Sequence, residues 1–285
     1  MKYIVNPVNN KDLETFLHSN DITDILIGVD YLTHGIGLKL KVEKLNKILK
    51  KTNKISLDIS RLFHEKELTI INEILDKINF EKVNLIFYSD FGLYMLLKEK
   101  GLEKKAVYNA YTYTTNVSDI NFYNDINNYV CVSNQISSDE LRYLLEKSNK
   151  KAIVYGFGKS IIFYSKRELL TNYFKYRGLN DNPHSKSYYL KEEFRDDLYH
   201  IYEDEFGAYI YEAGYYYLFE ELENMKNIEY VILDASDLDS KNYRKVVNAY
   251  LNKNKEILLG LDIKLYKGIM QEKSVLLKSE VTNHE

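Results

Sequence analysis

Residues 55–78 read ISLDISRLFHEKELTIINEILDKI and contain one complete strand-and-helix unit. Its first residues, Ile55–Ile59, form a short apolar run that is typical of a buried strand. In the second half, Leu68–Ile78, leucine and isoleucine recur three or four residues apart and so share one face of a helix. The stretch therefore predicts a β-strand followed by an amphipathic helix that packs back against it.

The same unit recurs along the chain. Seven other apolar runs predict strands, and helical patterns separate most of them: Tyr3–Val5, Ile25–Gly28, Val83–Tyr88, Ala106–Tyr108, Tyr129–Ser133, Ala152–Tyr155 and Tyr230–Asp234. Strands that alternate with helices are joined by right-handed crossovers and pair in parallel. Eight such units predict an α/β protein with a (β/α)8 TIM-like barrel, in which sites lie at the carboxyl ends of the strands.

The alternation is interrupted after the seventh predicted strand, between about residues 175 and 212. This segment contains the strand-like pieces Tyr199–Tyr202 and Ala208–Tyr211, which predict a hairpin-like cap over the mouth of the barrel. Glu203–Glu205 is expected to be the solvated tip of that hairpin. We therefore expect a barrel over residues 1–255 with a cap insertion, and a small C-terminal extension over residues 256–285.

Composition limits the classes of function. The 285 residues carry a formal net charge of −3, so a nucleic-acid contact would have to use a local basic patch. No stretch reaches the roughly 18 apolar residues of a membrane span, and the first residues do not resemble a secretion signal. The sequence predicts a cytoplasmic protein that does not contact membranes.

The chain has a single cysteine, Cys131, within the strand-like run Tyr129–Ser133. A lone cysteine excludes an internal disulfide and any zinc or iron–sulfur site built from several cysteines of this chain. A buried, unreactive thiol is favoured over a nucleophile. We expect neither a metal nor another cofactor.

Gly158-Lys159-Ser160 matches the second half of a phosphate-binding loop. The first glycine of such a loop would stand at position 153, where the chain has Ile153. The residues after Ser160 are β-branched and aromatic, which predicts a strand rather than the helix that would bind phosphate. The pattern argues against a nucleotide site.

Several polar residues follow predicted strands. Asp58, Asp90 and Asp234 lie at or near strand ends, where carboxylates could converge as bases or metal ligands, or could cap the helices that follow. His64-Glu65 begins like a zinc-protease motif, but Leu68 stands where the second histidine would be. His64 is then either a substrate contact or a loop histidine, and the catalytic residues stay unassigned.

Longer segments resemble the U-32 peptidase family, also called collagenase-like peptidases. The segments that carry the resemblance are Tyr164–Tyr173, Tyr202–Ile210, Ile228–Asp234 and Tyr243–Tyr250, with weaker matches at Gly28, Leu38-Lys39, Phe63-His64, Asp90 and Asn116. The resemblance covers nearly the whole chain. It is greatest to short members associated with prephenate-dependent 5-hydroxylation of the wobble uridine of bacterial tRNA.

The resemblance implies a barrel and, in several members, a four-iron cluster held by cysteines. This chain departs from that pattern at residues that are polar or ligating in the family. The replaced positions are Ile153 and Phe157 in the Glu-x-x-x-His-Gly motif, Ile161 and Glu168 for two signature cysteines, Asn134-Gln135 for Arg-Glu, and Ile232 for a lysine. Without thiolates a cluster of this kind cannot form.

Three hypotheses follow. The first is a divergent subunit, without a cluster, of the tRNA uridine hydroxylation system that acts with a cysteine-bearing paralogue and so contacts tRNA. The second is a peptidase, as the family name implies, and the third is a small-molecule-binding or scaffold protein without catalytic activity. The resemblance places Lys39, His64, Asp90, Asn116 and Arg167 around a remaining pocket, and Asp234 is a further candidate. Lys39 and Arg167 could hold a small carboxylate such as prephenate.

Overall fold

A computed structural model of the chain describes residues 1–111, 114–185 and 187–267. Its strands, numbered along the chain, are β1 (Lys2–Val5), β2 (Asp24–Val29), β3 (Lys39–Leu40), β4 (Ile55–Ile59), β5 (Val83–Tyr88), β6 (Ala106–Tyr108), β7 (Tyr129–Val130), β8 (Ala152–Gly158), β9 (Ile161–Ser165), β10 (Tyr188–Lys191), β11 (Leu198–Asp204), β12 (Gly207–Tyr211), β13 (Tyr215–Tyr217), β14 (Ile228–Leu233) and β15 (Leu265–Tyr266).

The α-helices alternate with the strands over most of the chain. They are α1 (Asn10–Leu17), α2 (Val42–Leu49), α3 (Leu68–Asp76), α4 (Phe91–Glu99), α5 (Val117–Ile126), α6 (Ser138–Lys147), α7 (Leu169–Arg177), α8 (Ser240–Leu251) and α9 (Lys255–Leu259). Polar side chains cap the starts of four of these helices, α1, α4, α5 and α6. In the first turns of these helices, backbone N–H groups donate hydrogen bonds to the side chains of Asn9, Asp90, Asn116 and Ser137, respectively.

All eight strands predicted from the sequence are present in one large, mainly parallel sheet. Parallel pairing runs in the order β8, β14, β1, β2, β4, β5, β6, β7, which is the order of a barrel with the junction between β7 and β8 as its seam. At that seam the described residues form an isolated parallel bridge, Cys131 with Ile153, rather than a ladder. The structure is therefore a mixed α/β fold with a large parallel sheet, and hydrogen bonds do not close the predicted TIM barrel.

Two short strands extend the sheet beside β8. Strand β13 pairs antiparallel with β8, and β15 pairs in parallel with β13. The predicted C-terminal extension thus begins with α9 and adds β15, while its remainder, residues 268–285, lies outside the described residues. Whether residues 256–285 form a separate unit stays a prediction.

The cap is a second, antiparallel sheet with the strand order β10, β11, β12, β9. Strands β11 and β12 form the hairpin that the sequence predicts, and β9 pairs with β12, so the cap sheet already begins at Ile161. The expectation of a solvated tip at Glu203–Glu205 is wrong for its first residue. The Glu203 carboxylate is buried and accepts N–H groups from Leu170 and Thr171, which anchors the start of α7 on the cap.

The core lies between the parallel sheet and its helices. It consists largely of strand isoleucine, leucine and valine side chains, such as Ile4, Ile27 and Leu57, with leucines from the helices. Over the described part of the chain, no helix is both long and apolar enough to cross a membrane.

Candidate functional site

A cavity lies at the carboxyl ends of the parallel strands, beneath the cap. Asp58 of β4 and Asp234, directly after β14, line it, together with Asn109, Tyr111 and Tyr155. A cleft of about 240 Å³ adjoins it and shares His34, Tyr111 and Ile161 as lining. The cavity therefore occupies the position where a parallel barrel or open α/β sheet builds its site.

Both carboxyl groups in the cavity hold their protons unusually tightly. Burial raises the pKa of Asp58 from 3.8 to about 6, and the nearby Asp234 adds to that rise. Burial also raises the pKa of Asp234, although this carboxylate accepts hydrogen bonds from Asn6 and from the Ser236 N–H group. A carboxyl with a pKa near 6 can give or take a proton near neutral pH, as an acid or a base must.

His34, in the loop after β2, joins the barrel side of the cavity to the cap. Its ring stacks on Tyr209 of β12, with ring centroids 4.5 Å apart and planes 6° from parallel. Burial, together with the charges of Lys39 and Arg61, lowers the pKa of His34 to about 3. The imidazole is therefore neutral at physiological pH, and it can donate and accept hydrogen bonds without carrying charge.

Several buried polar atoms around this cavity lack a hydrogen-bond partner. They are Asp58 Oδ1, His34 Nδ1 and Asn109 Oδ1. Unsatisfied buried polar groups are rare in folded proteins, and a cluster of them indicates a position for a bound polar molecule or water. The arrangement can hold a small, hydrogen-bonding molecule between tyrosine rings and two protonatable carboxyls.

A second polar cluster fastens the cap to the barrel. Asp237 accepts hydrogen bonds from Lys159 Nζ at 2.9 Å and Tyr215 OH at 2.5 Å, and its Oδ2 lies 3.0 Å from His200 Nδ1. Burial alone would raise the pKa of Asp237, but these hydrogen bonds outweigh burial and lower it. Lys159 of the Gly-Lys-Ser sequence thus forms an ion pair with Asp237, and the strand predicted after Ser160 is confirmed as β9.

The structure separates the remaining predicted site residues. Lys39 lies beside the cavity, with its Nζ 3.5 Å from Asp204 of the cap. Asp90 and Asn116 cap α4 and α5 through hydrogen bonds to backbone N–H groups. His64 is exposed at the start of a 3₁₀ turn, and Arg167 is exposed beside α7, away from the cavity lining. Of the three strand-end aspartates, Asp90 therefore acts as a cap, whereas Asp58 and Asp234 meet in the cavity.

Sequence reasoning missed His34, Asn109 and Tyr209. Asn109 follows β6 directly, a position that the barrel pattern could have marked. His34 lies in a long loop and Tyr209 comes from the cap, so only the three-dimensional structure brings these rings together. Ile161 and Ile232, two of the apolar replacements, line the cavity, which is less charged than the resemblance alone would imply.

Comparison with known proteins identifies the family of this chain. The model of Peptidase family U32 matches residues 37–279, which is most of the chain. The chain belongs to Peptidase family U32. The chain is also similar to a protein named tRNA hydroxylation protein P2, from Bacillus subtilis (strain 168), with 22% identity over 231 residues, which cover 78% of this chain and 74% of that protein. No solved structure matches the chain.

The residues present do not fit the iron–sulfur cluster of some U32 members. The chain has one cysteine, and Cys131 is buried with the pKa of its thiol raised, chiefly by burial. At the positions that the resemblance assigns to two signature cysteines, Ile161 lines the cavity and Glu168 is exposed at the start of α7. This U32 chain therefore lacks the thiolates that such a cluster requires.

Proposed function

We propose that this chain takes part in 5-hydroxylation of the wobble uridine of tRNA, as a subunit without a cluster that acts with a cysteine-bearing paralogue. The similarity to tRNA hydroxylation protein P2 over 78% of the chain carries this proposal. We also propose that the seam between β7 and β8 completes a (β/α)8 barrel, since the strand order and the Cys131–Ile153 bridge fit one. A cytoplasmic location is part of the same proposal.

The cavity supports this function by its chemistry. Neutral His34, the carboxyls of Asp58 and Asp234 and the tyrosine rings suit a planar, uncharged group with both hydrogen-bond donors and acceptors. A uracil ring is of this kind, whereas an anion would meet two acidic side chains. Asp58 and Asp234 are the groups that would exchange protons with the bound ring.

The prediction that Lys39 and Arg167 hold a small carboxylate such as prephenate remains a proposal. Lys39 lies at the cap side of the cavity, where Asp204 already neutralises part of its charge. Arg167 is exposed. An Arg167→Ala variant that binds prephenate as well as the unaltered chain does would remove Arg167 from this role.

The peptidase hypothesis lacks comparable support. Within residues 1–111, 114–185 and 187–267, no serine, threonine or cysteine side chain is hydrogen-bonded to a histidine side chain. A nucleophile activated by an adjacent base is the usual arrangement for hydrolysis through a covalent intermediate.

Nucleoside mass spectrometry tests the proposal. Digested tRNA from a strain that lacks the gene is compared with tRNA from the parent strain for 5-hydroxyuridine and the nucleosides derived from it. We expect these nucleosides to disappear and to return when the intact gene or the exposed-site control Asp196→Asn is supplied, but not with Asp58→Asn or Asp234→Asn. Unchanged levels in the deletion strain would contradict the proposed function.

A further inference from the structure

Three hydrogen-bond acceptors without partners belong to residues that line the cavity beneath the cap. They are Asp58 Oδ1, Asn109 Oδ1 and His34 Nδ1. Asn109 is only 2% exposed, and its amide nitrogen already donates to the Tyr155 hydroxyl at 2.9 Å, so its carbonyl oxygen is the atom left free. Buried acceptors normally have a donor, and three of them around one cavity indicate that a donor belongs there.

The tautomer of His34 makes its free nitrogen an acceptor as well. A hydrogen bond with the Ser60 backbone raises the pKa of His34, which requires the ring to donate an N–H group to the Ser60 carbonyl. The nitrogen without a partner is Nδ1, so Nε2 carries the proton. Because burial keeps the ring neutral, Nδ1 retains a lone pair that only a donor can satisfy.

The cavity also lacks a positive charge. Asp58 and Asp234 both line it, and neither has an ion-pair partner within the described residues. Two nearby cations are paired elsewhere, since Lys159 Nζ lies 2.9 Å from Asp237 and Lys39 Nζ lies 3.5 Å from a carboxylate of the cap. The raised pKa of both cavity carboxyls, chiefly an effect of burial, is consistent with a missing counter-charge.

An ammonium group supplies both missing features. It offers three N–H donors and one positive charge, and it is close in size to a water molecule, so it fits a cavity of about 60 Å³. Water has the right size but only two donors and no charge. A metal ion is a poorer match, because no three histidine, cysteine, aspartate or glutamate side chains of the described residues are placed to bind one.

We propose that the cavity is a site for an ammonium group, which donates hydrogen bonds to Asp58, Asn109 and His34. The inference goes beyond the proposed function and does not rest on it, since it follows from the acceptors and charges of the cavity. The group fills only the cavity and leaves the adjoining cleft free. A positive charge beside Asp58 favours its ionised form, so the bound group keeps this carboxylate able to accept a proton.

Calorimetric titration of the full chain with methylammonium chloride at pH 7 tests the site. Tetramethylammonium chloride is the matched probe, because it has the charge but no N–H group. We expect one saturable site for methylammonium and none for tetramethylammonium. Failure of methylammonium to bind at millimolar concentrations, as for a cavity that holds only water, or equal binding of both ions, would overturn the inference.

Two further probes distinguish the sources of such a group. Ammonium chloride represents the free ion, and n-butylammonium chloride represents a larger amine whose chain extends into the cleft, which shares His34, Tyr111 and Ile161 with the cavity. Tighter binding of ammonium would support the free ion as the ligand. Tighter binding of n-butylammonium would support the head group of an amine.

Asp58→Asn removes the charge of the site and keeps its shape. We expect it to bind methylammonium at least about tenfold more weakly, because a charge-assisted hydrogen bond is lost. Asp24→Asn is the matched control, since burial raises the pKa of Asp24 too, but its carboxylate accepts hydrogen bonds from Ser56 and Asn84 at the opposite end of the strands. Its affinity should stay unchanged. Circular dichroism checks that both variants fold, and the exposed-site Asp196→Asn replaces Asp24→Asn if that variant unfolds. Equal losses in Asp58→Asn and the control would overturn the site.

The pH dependence of binding identifies the carboxyl. With a pKa of about 6, Asp58 is mostly protonated at pH 5 and mostly ionised at pH 7, whereas methylammonium, like a lysine side chain, stays charged throughout. The affinity of the unaltered chain should therefore rise about tenfold between these pH values, and Asp58→Asn should lack this rise.

The groups around Asp58 do not obscure this comparison. Within the described residues, the titratable or charged groups near it, apart from tyrosines, are Asp234, His34, Lys39, Lys159 and Cys131. All of them are present in both proteins, so their own titration cancels. An equal rise in both proteins would exclude Asp58 as the binding carboxylate and overturn the inference. The nucleoside comparison is independent of these titrations, so a failure of the proposed function is recognised separately.

Discussion

Replacing Asp58 by asparagine should make the protein more stable and, in the proposed pathway, inactive. The Asp58 carboxyl is buried at the end of β4, its Oδ1 has no hydrogen-bond partner, and burial raises its pKa from 3.8 to about 6. Asparagine has nearly the shape of the protonated acid and never carries the charge that burial penalises. The substitution therefore removes the cost of keeping a carboxylate in this cavity.

The size and pH dependence of the gain follow from the pKa. In the unfolded chain Asp58 loses its proton near pH 4, whereas in the folded chain it keeps the proton until about pH 6. The folded state therefore binds more protons between these pH values, and the unaltered protein loses stability as the pH rises through them. At about 1.4 kcal/mol per pKa unit, the loss is at most about 3 kcal/mol by pH 7.

Urea unfolding followed by far-ultraviolet circular dichroism at pH 4, 5, 6 and 7 measures this difference. Asp58→Asn and the unaltered chain should have similar unfolding free energies at pH 4. The variant should then gain progressively, up to about 3 kcal/mol by pH 7. Asp24, whose pKa burial raises to about 7, is present in both proteins and cancels from the comparison. A difference that does not change with pH, or a variant that is less stable at pH 7, would refute the reasoning.

Three further predictions concern other parts of the fold. Asp237→Asn leaves Lys159 buried without its counter-charge and should lower the free energy of unfolding by roughly 3 kcal/mol, measured by urea titration; a loss below about 0.5 kcal/mol, as for an exposed pair, would contradict the role given to this cluster. Cys131 should not react with Ellman's reagent until urea unfolds the chain, because its thiol is buried and its pKa is raised; rapid labelling of the native protein would show that the thiol is accessible. Gly207→Ala should lower the thermal unfolding midpoint, since the backbone has φ 138° and a methyl group there would lie 2.2 Å from the Ser165 carbonyl oxygen; an unchanged midpoint would show that the turn can relax.

The sequence was a good guide to the strands and a partial one to the site. Each strand is a local apolar run, and its burial between helices follows from periodicity, so all eight predicted strands are found. Barrel closure depends on how β7 meets β8, which no local pattern encodes. Asp58 and Asp234 could be placed at strand ends, but whether such an aspartate caps a helix, as Asp90 does, depends on backbone geometry beyond it.

Two of the missed residues, His34 and Tyr209, and the wrong expectation for Glu203 share a physical reason. His34 and Tyr209 lie 175 positions apart in the sequence, and their stacking is a product of the cap folding over the barrel. Glu203 was expected in water because acidic turns usually are solvated, but it satisfies the N–H groups at the start of α7 instead. In both cases the position of the side chain depends on contacts between segments that are far apart in the sequence.

The stacking of His34 on Tyr209 also affects the timing of ligand exchange. One ring belongs to the barrel and the other to the cap, and the two rings lie in van der Waals contact over one wall of the cavity. Movement of the cap away from the barrel would separate these rings and open that wall of the cavity. Weakening the Asp237 cluster, which fastens the cap, should then shorten the residence time of a ligand even though Asp237 does not line the cavity.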